Sequence, residues 1–257
     1  MSPVLAEMTW PEVERAIAAG ATTVILPLGA TEQHGPHLPL GTDTFRAAFL
    51  AAQLGAETSD ILVAPTLPLG CSDEHTGFPG LLSLDHETLA DVIADCGRRM
   101  AAWGVRCLVL LSAHGGNARA LALARTRLQE QAAGLAVRVL AFSTALNEEL
   151  ADIASVDGIA PSHVGLHAGE RETSEMLHLH PDLVRMDRAV AGYTGSMTDV
   201  MPRLRAVGLR AVTATGTLGD PRAACAKRGG RYLAAQVEGF SRMLAAGIGA
   251  SVGEATP

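Results

Sequence analysis

The sequence has few basic residues, few aromatic residues and few cysteines. Its 20 Lys and Arg are outnumbered by 27 Asp and Glu, which gives a formal net charge of −7. A nucleic-acid-binding surface needs clustered Lys and Arg, so this balance argues against a nucleic acid as partner. Only 18% of the residues are charged, whereas 48% are hydrophobic. This composition excludes a disordered chain and predicts a globular protein with a sizeable core.

Long hydrophobic runs and dense cysteine patterns are also missing. No apolar run reaches the ~18 residues that a membrane-spanning helix needs, so we expect no membrane partner. Residues 1–10 lack the basic start and the apolar stretch of a signal peptide. The four cysteines lie far apart without a C-x-x-C pair, which favours reduced, buried thiols over disulfides. Together these features predict a cytoplasmic protein.

Short apolar runs alternate with longer helical patterns along the chain. The predicted strands cover residues 22–28, 61–65, 107–111 and 136–142, and the predicted helices 44–54, 85–103, 118–133, 172–180 and 223–244. Continuously apolar strands are typical of a parallel sheet that is covered on both faces. The alternation predicts an α/β fold, a three-layer α/β/α sandwich with a mostly parallel central sheet, as one domain over residues 1–257. Residues 147–169 are interpreted as a long loop or insertion near the site, and residues 249–257 as a frayed tail.

A cluster of carboxylate and imidazole residues follows the first predicted strand. Glu32 and His34 lie two residues apart, so an extended backbone would project both side chains to one face. Asp43 stands where the next helix begins, a position at which helix capping is the alternative role. Ligands of open α/β sheets bind outside the carboxyl ends of the strands. The three residues therefore predict a divalent metal site, in which a carboxylate can bridge two ions.

A second cluster follows the third predicted strand, where residues 112–117 read S-A-H-G-G-N. The paired glycines allow the backbone to turn sharply and to pass close to whatever His114 contacts. A solvated histidine in a glycine-rich turn is one alternative. A phosphate cradle is another, although neither common phosphate-binding glycine pattern is present. Beside the first cluster, His114 is interpreted as a metal ligand, with Gly115 and Gly116 lining the substrate site.

A third segment, H-A-G-E-R-E-T-S at residues 167–174, opens a predicted helix. Acidic residues in a first helical turn also complement the helix dipole, which is the alternative explanation for them. However, His167 in front of Glu170 and Glu172 supplies an acid/base group beside further ligand oxygens. A hydrolytic metal site needs both.

These segments together resemble the creatininase (creatinine amidohydrolase) family of metal-dependent amide hydrolases. The resemblance is carried, in the expected order over nearly the whole chain, by T-E-Q-H-G-P-H-L-P-L-x-T-D, H-T-G-F-P-G, H-G-G-N, H-A-G-x-x-E-T-S and L-G-D-P. It implies an enzyme that hydrolyses a carbon–nitrogen amide-type bond through a metal-activated bridging water. It also implies two divalent ions per subunit (zinc, manganese or iron) and a homohexamer.

Carried over residue by residue, the resemblance assigns Glu32 and His114 to one metal, His34 to the other, and Asp43 to a bridging position. Creatininase itself has a glutamate two residues beyond the histidine of the second cluster, where this chain has Gly116. The second metal therefore needs another carboxylate, for which Glu172 is the candidate.

The remaining site residues follow from the same resemblance. Glu170 is the alternative ligand of the second metal and is otherwise expected in a catalytic role. His167 is expected to transfer a proton to the leaving nitrogen. His75 opens H-T-G-F-P-G, which resembles the substrate-side loop of the family, so a substrate-binding role is expected for it.

The substrate is less strongly indicated. Creatininase lines its pocket with tryptophans, whereas this chain has only Trp10 and Trp103, so creatinine is not the expected substrate. Residues 187–220 look similar to the family branch that cleaves the mycofactocin precursor peptide, although Glu170 departs from that branch. A small amide or formamide is the first expectation and the precursor peptide the second. A non-catalytic metal-binding module on the same fold is the alternative of another class.

Overall fold

The computed structural model describes residues 3–246, so the predicted tail at residues 249–257 lies outside the described residues. Within them, four strands form one sheet: β1 Thr23–Leu28, β2 Ile61–Val63, β3 Cys107–Ser112 and β4 Ala136–Leu140. All neighbouring strands pair in parallel, in the order β2-β1-β3-β4. The prediction of a parallel central sheet is confirmed.

The same part of the chain contains nine α-helices. They are α1 Trp10–Ala18, α2 Thr42–Ala56, α3 His86–Ala102, α4 Ala118–Gln131, α5 Thr144–Val156, α6 Pro161–Val164, α7 Glu170–Leu179, α8 Met197–Val207 and α9 Ala226–Ala245. None of these helices combines the length and the apolar character that crossing a bilayer requires.

The strands contribute side chains to two cores on opposite faces of the sheet. On β1, Val24 and Leu26 belong to one core, and Ile25 between them belongs to the other. Helices α3 and α4 complete the first core, whereas α2, α5 and α9 complete the second. Because both faces of β1 and β3 are buried, the sequences of these two strands are nearly all apolar without alternation. This arrangement is the predicted three-layer α/β/α sandwich.

The predicted long loop at residues 147–169 is wrong. Most of its first half belongs to α5, and α6 lies in its second half. Ser143 caps α5 by accepting a hydrogen bond from the backbone N–H of Leu146. Leu146, Leu150 and Ala154 are buried at a spacing of one helical turn. This is the pattern of an amphipathic helix, which the glycine and proline beyond its end obscure in the sequence.

The end of β1 and the start of α2 approach each other closely. A Cβ on Gly29 would lie 2.4 Å from Thr44 Cα, so only glycine permits this contact. Gly41 occupies the capping position of α2, and Asp43 lies in the first turn without capping the helix. The capping alternative for Asp43 is therefore excluded, and its side chain is available at the carboxyl end of the sheet.

Candidate metal centre

Five of the predicted metal ligands lie together although they come from distant parts of the chain. Glu32 and His34 follow β1, and His114 follows β3, which pairs with β1 along its whole length. Asp43 lies in the first turn of α2 and Glu172 in the first turn of α7. All five residues are buried. The topology therefore brings them to one edge of the sheet, as ligand sites in open α/β folds require.

Glu32, Asp43 and His114 form one group of possible ligands. His114 Nε2 lies 3.3 Å from Glu32 Oε2, and His114 Nδ1 lies 3.3 Å from Asp43 Oδ2. The carbonyl oxygen of Cys71 is 2.9 Å from His114 Nε2 and can only accept a hydrogen bond. A neutral His114 therefore carries its proton on Nε2 and presents the lone pair of Nδ1 to Asp43.

His34, Asp43 and Glu172 form a second group. His34 Nε2 lies 3.5 Å from Asp43 Oδ1 and 3.9 Å from Glu172 Oε2. Within each group the ligand atoms all lie within 4.8 Å of one another. Asp43 belongs to both groups and presents a different oxygen to the histidine of each. This is how a carboxylate can bridge two ions.

Several buried polar atoms of these groups have no hydrogen-bond partner. Within residues 3–246 they include Glu32 Oε2, His34 Nε2 and Asp43 Oδ2. A buried polar atom without a partner costs free energy, so such atoms are rare unless a ligand satisfies them. Mixed carboxylate and imidazole donors suit zinc, manganese and iron. The donor set therefore fits divalent cations.

The buried carboxylates of the cluster raise the pKa values of two of its histidines. Burial opposes the charged form of His34, but Asp43 and Glu172 outweigh it and raise the pKa of His34 to about 9. Burial likewise opposes the charged form of His114, whose pKa Glu32 and Asp43 raise to about 10. Burial raises the pKa of Glu32 to about 7. A cation displaces these protons, so its binding is accompanied by proton release and weakens as the pH falls.

His167 contacts the cluster through one ring nitrogen. Its Nδ1 lies 3.7 Å from Glu32 Oε1, and its Nε2 lies 2.7 Å from the carbonyl oxygen of Gln33. The carbonyl requires the proton of a neutral ring on Nε2, which leaves the lone pair of Nδ1 facing Glu32. Burial and the adjacent His34 lower the pKa of His167 to about 3. His167 is therefore a neutral base directed at the cluster, and its role in proton transfer stays a prediction.

The predicted substrate-side residues lie around the same cluster. His75 is buried, and its Nε2 is 3.2 Å from Glu32 Oε1. A Cβ on Gly116 would lie 2.1 Å from the carbonyl oxygen of Cys71 and 2.4 Å from His114 Nε2, so only glycine fits here. A Cβ on Gly115 would meet no described atom within 4 Å. The substrate-binding roles of the three residues remain predictions.

Glu170 lies outside the cluster, which contradicts both its predicted catalytic role and the alternative that it binds the second metal. Its Oε1 accepts hydrogen bonds from Ser174 Oγ at 2.5 Å and from Arg228 Nε at 2.6 Å. Its Oε2 accepts one from the hydroxyl of Tyr232 at 2.7 Å. Residues two apart on an α-helix point in nearly opposite directions, so Glu170 faces α9 while Glu172 faces the cluster.

The two glutamates provide a matched pair of variants. We expect Glu172→Gln to weaken ion binding by at least about 10–100-fold, the range found when groups around a metal are altered. Glu170→Gln should keep the ion affinity and lower the free energy of unfolding by about 1–3 kcal/mol, since buried hydrogen bonds are lost. A competition titration with a chromophoric chelator, together with urea unfolding, measures both effects. Equal ion affinity in the two variants would contradict the assignment.

Arg46, which no sequence pattern above indicated, lies directly behind the cluster. Its guanidinium is buried and donates to Asp43 Oδ1 at 3.2 Å, Glu172 Oε1 at 2.8 Å and Glu175 Oε2 at 2.5 Å. Arg46 follows Asp43 by three residues on α2, and Glu175 follows Glu172 by three on α7. This helical spacing places each pair on one side of its helix, and it is the signal from which both residues could have been found.

Comparison with known proteins gives consistent matches. The family model for creatininase (creatinine amidohydrolase) matches residues 6–244. The mycofactocin precursor peptide peptidase of Mycolicibacterium smegmatis is 40% identical over 221 residues, which cover 84% of this chain and 81% of that protein. The creatinine amidohydrolase of Pseudomonas putida is 32% identical over 93% of this chain and 95% of its own length.

Solved structures agree with these matches. A crystal structure of creatininase superposes with a TM-score of 0.80 at 31% sequence identity, covering 97% of this chain and 99% of that one. A manganese form of creatininase gives a TM-score of 0.79 at 30% identity, over 96% of this chain and 99% of that one. A Zn–Zn form of a creatininase variant gives 0.78 at 30% identity, with the same coverage.

Proposed function

The chain belongs to the creatininase family and is a hydrolase of carbon–nitrogen bonds, and we propose that its buried cluster holds two divalent ions. The proposed ligands are Glu32, Asp43 and His114 for one ion and His34, Asp43 and Glu172 for the other. The observation that carries the proposal is the position of Asp43, whose two oxygens face two different histidines at 3.5 and 3.3 Å. Zinc, manganese and iron are the candidate ions.

The ions, when bound, would polarise the amide carbonyl and lower the pKa of the attacking water. The chain itself supplies orientation and proton transfer. Arg46 orients Asp43 by donating a hydrogen bond to its Oδ1, and histidine nitrogens lie 3.2 and 3.3 Å from the two oxygens of Glu32. His167 is neutral and would accept at Nδ1 a proton from the water whose oxygen bonds to the carbonyl carbon, and it would pass that proton to the leaving nitrogen as the carbon–nitrogen bond breaks.

For the substrate we propose a peptide amide. The support is that the M. smegmatis peptidase is 40% identical to this chain, whereas the creatinine amidohydrolase is 32% identical. In addition, Trp10 is 77% exposed on α1 and Trp103 is 38% exposed beyond α3, so neither is buried within the cluster. This choice places the peptide ahead of the small amide or formamide that the sequence favours. The cyclic amide is the second candidate, supported by the TM-score of 0.80 to creatininase.

A substrate panel tests this choice. The protein loaded with zinc or manganese is incubated separately with the mycofactocin precursor peptide, unrelated short peptides, creatinine and formamides, and the released amine or fragment is quantified. We expect kcat/KM for the precursor peptide to exceed that for the small amides by at least about tenfold, a difference of about 1.4 kcal/mol in the barrier. Hydrolysis confined to creatinine or to a formamide would reject the peptide.

Removal of the ions should abolish the hydrolysis of every substrate in the panel. Polarisation of the carbonyl is worth several kcal/mol, so dialysis against a strong chelator is expected to lower kcat/KM by at least about 10³-fold. Added zinc or manganese should restore it. Full activity in protein shown by elemental analysis to be metal-free would contradict the proposal. Bound ions without hydrolysis of any panel member would support the non-catalytic module instead.

We also propose one domain over residues 1–257, a cytoplasmic location and a homohexamer, as the resemblance to the family implies. Light scattering coupled to size-exclusion chromatography tests the assembly. The hexamer predicts a particle about six times the 26.6 kDa mass of the chain. A particle of the chain mass alone would reject it.

A further inference from the structure

The glycine-rich turn that carries His114 ends at Asn117, a residue to which no role is assigned above. Its side chain is completely buried. Asparagine is common at the start of helices, because its side chain can cap the free backbone N–H groups there. Asn117 occupies the capping position of α4, but its side chain forms no capping hydrogen bond. Its amide is therefore directed at other parts of the molecule.

The amide of Asn117 connects three segments that are separate in the sequence. Its Oδ1 accepts a hydrogen bond from the backbone N–H of Cys71 at 2.9 Å. Its Nδ2 donates to the carbonyl oxygen of Gly29 at 3.1 Å and to the hydroxyl of Ser112 at 3.2 Å. The N–H of Cys71 can only donate and the carbonyl of Gly29 can only accept, so the oxygen and the nitrogen of the amide cannot be exchanged.

The three segments surround the first group of proposed ligands. Gly29 follows β1 directly and lies three residues before Glu32, and Ser112 ends β3 two residues before His114. The carbonyl oxygen of Cys71 lies 2.9 Å from His114 Nε2. Asn117 therefore holds the ends of the two central strands and the segment that contacts the His114 ring in one arrangement.

The backbone approaches the amide of Asn117 so closely that one neighbouring position requires glycine. A Cβ on Gly70 would lie 2.7 Å from Asn117 Oδ1 and 2.7 Å from the carbonyl oxygen of Gly29. A side chain at this position would push the Cys71 segment away from the end of β1. Both hydrogens of Asn117 Nδ2 and its Oδ1 have partners, so the amide is enclosed and fully hydrogen-bonded.

We propose that Asn117 is a positioning residue for the ion between Glu32, Asp43 and His114. It holds the Cys71 segment against the ends of β1 and β3, and the contact with the Cys71 carbonyl in turn sets the position of the His114 ring. The inference rests on the proposed function, because it requires an ion at these three ligands.

Asn117→Ala tests this role in two backgrounds, each of which retains one complete group of ligands. His34→Ala leaves the first group intact, and His114→Ala leaves the second. In the His34→Ala background we expect Asn117→Ala to weaken zinc binding by about 10–100-fold, as for other groups that orient metal ligands. In the His114→Ala background the affinity should change by about twofold at most, because the amide shares no hydrogen-bond partner with the second group.

A competition titration of zinc against a chromophoric chelator measures these affinities independently of activity. Asn147→Ala, at the other asparagine of the sequence, lies on α5 outside the cluster and should change neither affinity. A loss that is no larger in the His34→Ala background than in the His114→Ala background would overturn the inference and leave the proposed function intact. Failure of the wild type to bind zinc would instead overturn the proposed function.

Asn117→Asp is the second variant, for use if Asn117→Ala does not fold. It keeps the size of the side chain but places an acceptor against the carbonyl of Gly29, where asparagine donates. The connection between the strand ends and the Cys71 segment is then broken in a different way, and the same difference between the two backgrounds is expected. Asn147→Asp is the control for the added charge.

Discussion

Asp43→Ala is expected to lose both ions and to lower kcat/KM by at least about 10³-fold, because an ion that polarises the substrate is worth several kcal/mol. Among the described residues, Asp43 is the one whose carboxylate faces the histidines of both ligand groups, with Oδ1 towards His34 and Oδ2 towards His114. Each remaining group would have only two protein ligands. Elemental analysis after gel filtration and steady-state kinetics measure the two effects.

Asp152→Ala is the matched control for this variant, because Asp152 is exposed on α5 and outside the cluster. It should retain both ions and full activity. Retention of a full complement of ions by Asp43→Ala would contradict the bridging role, even if its activity were lost.

Arg46→Met is expected to lower the free energy of unfolding of the metal-free protein by about 3–5 kcal/mol, the usual effect of removing one partner from a buried ion pair. Arg46 contacts the carboxylates of Asp43, Glu172 and Glu175, all of them buried. The substitution leaves these charges without the guanidinium that compensates them. Urea unfolding monitored by circular dichroism measures the change.

Arg242→Met provides the control for Arg46→Met. Arg242 pairs with Glu149, but both side chains are about half exposed, at 56% and 46%. An exposed pair of this kind contributes about 0–1 kcal/mol. Equal destabilisation by the two variants would show that Arg46 does not compensate buried charge.

Much of the fold could be predicted because buried strands form continuous apolar runs, which can be recognised in the sequence. Strands covered on both faces are typically apolar throughout, and three of the four strands lie within the predicted runs, while β3 extends one residue beyond its run, to Ser112. Helix α1 was not predicted, although Thr9 and Glu12 form a capping box at its start. Helix α8 contains Pro202, a residue that is typical of helix ends, so its pattern is weak in the sequence.

The site was predictable where residue type and position after a strand were sufficient. Glu32, His34 and His114 follow strand ends, and parallel strands bring those ends together. The choice between Glu170 and Glu172 depends on the direction in which the first turn of α7 faces. That direction cannot be read from the identities of the two residues. The contacts of Gln33 could not be predicted either, because its partners His75 and Gly216 belong to segments far apart in the chain.

Anomalous diffraction from crystals of zinc-loaded protein, recorded at the zinc absorption edge, shows whether two ions bind on either side of Asp43. We expect two peaks per chain, one bounded by Glu32, Asp43 and His114 and the other by His34, Asp43 and Glu172, with Asp43 between them. A cluster without peaks, or a single peak that Asp43 does not contact, would contradict it.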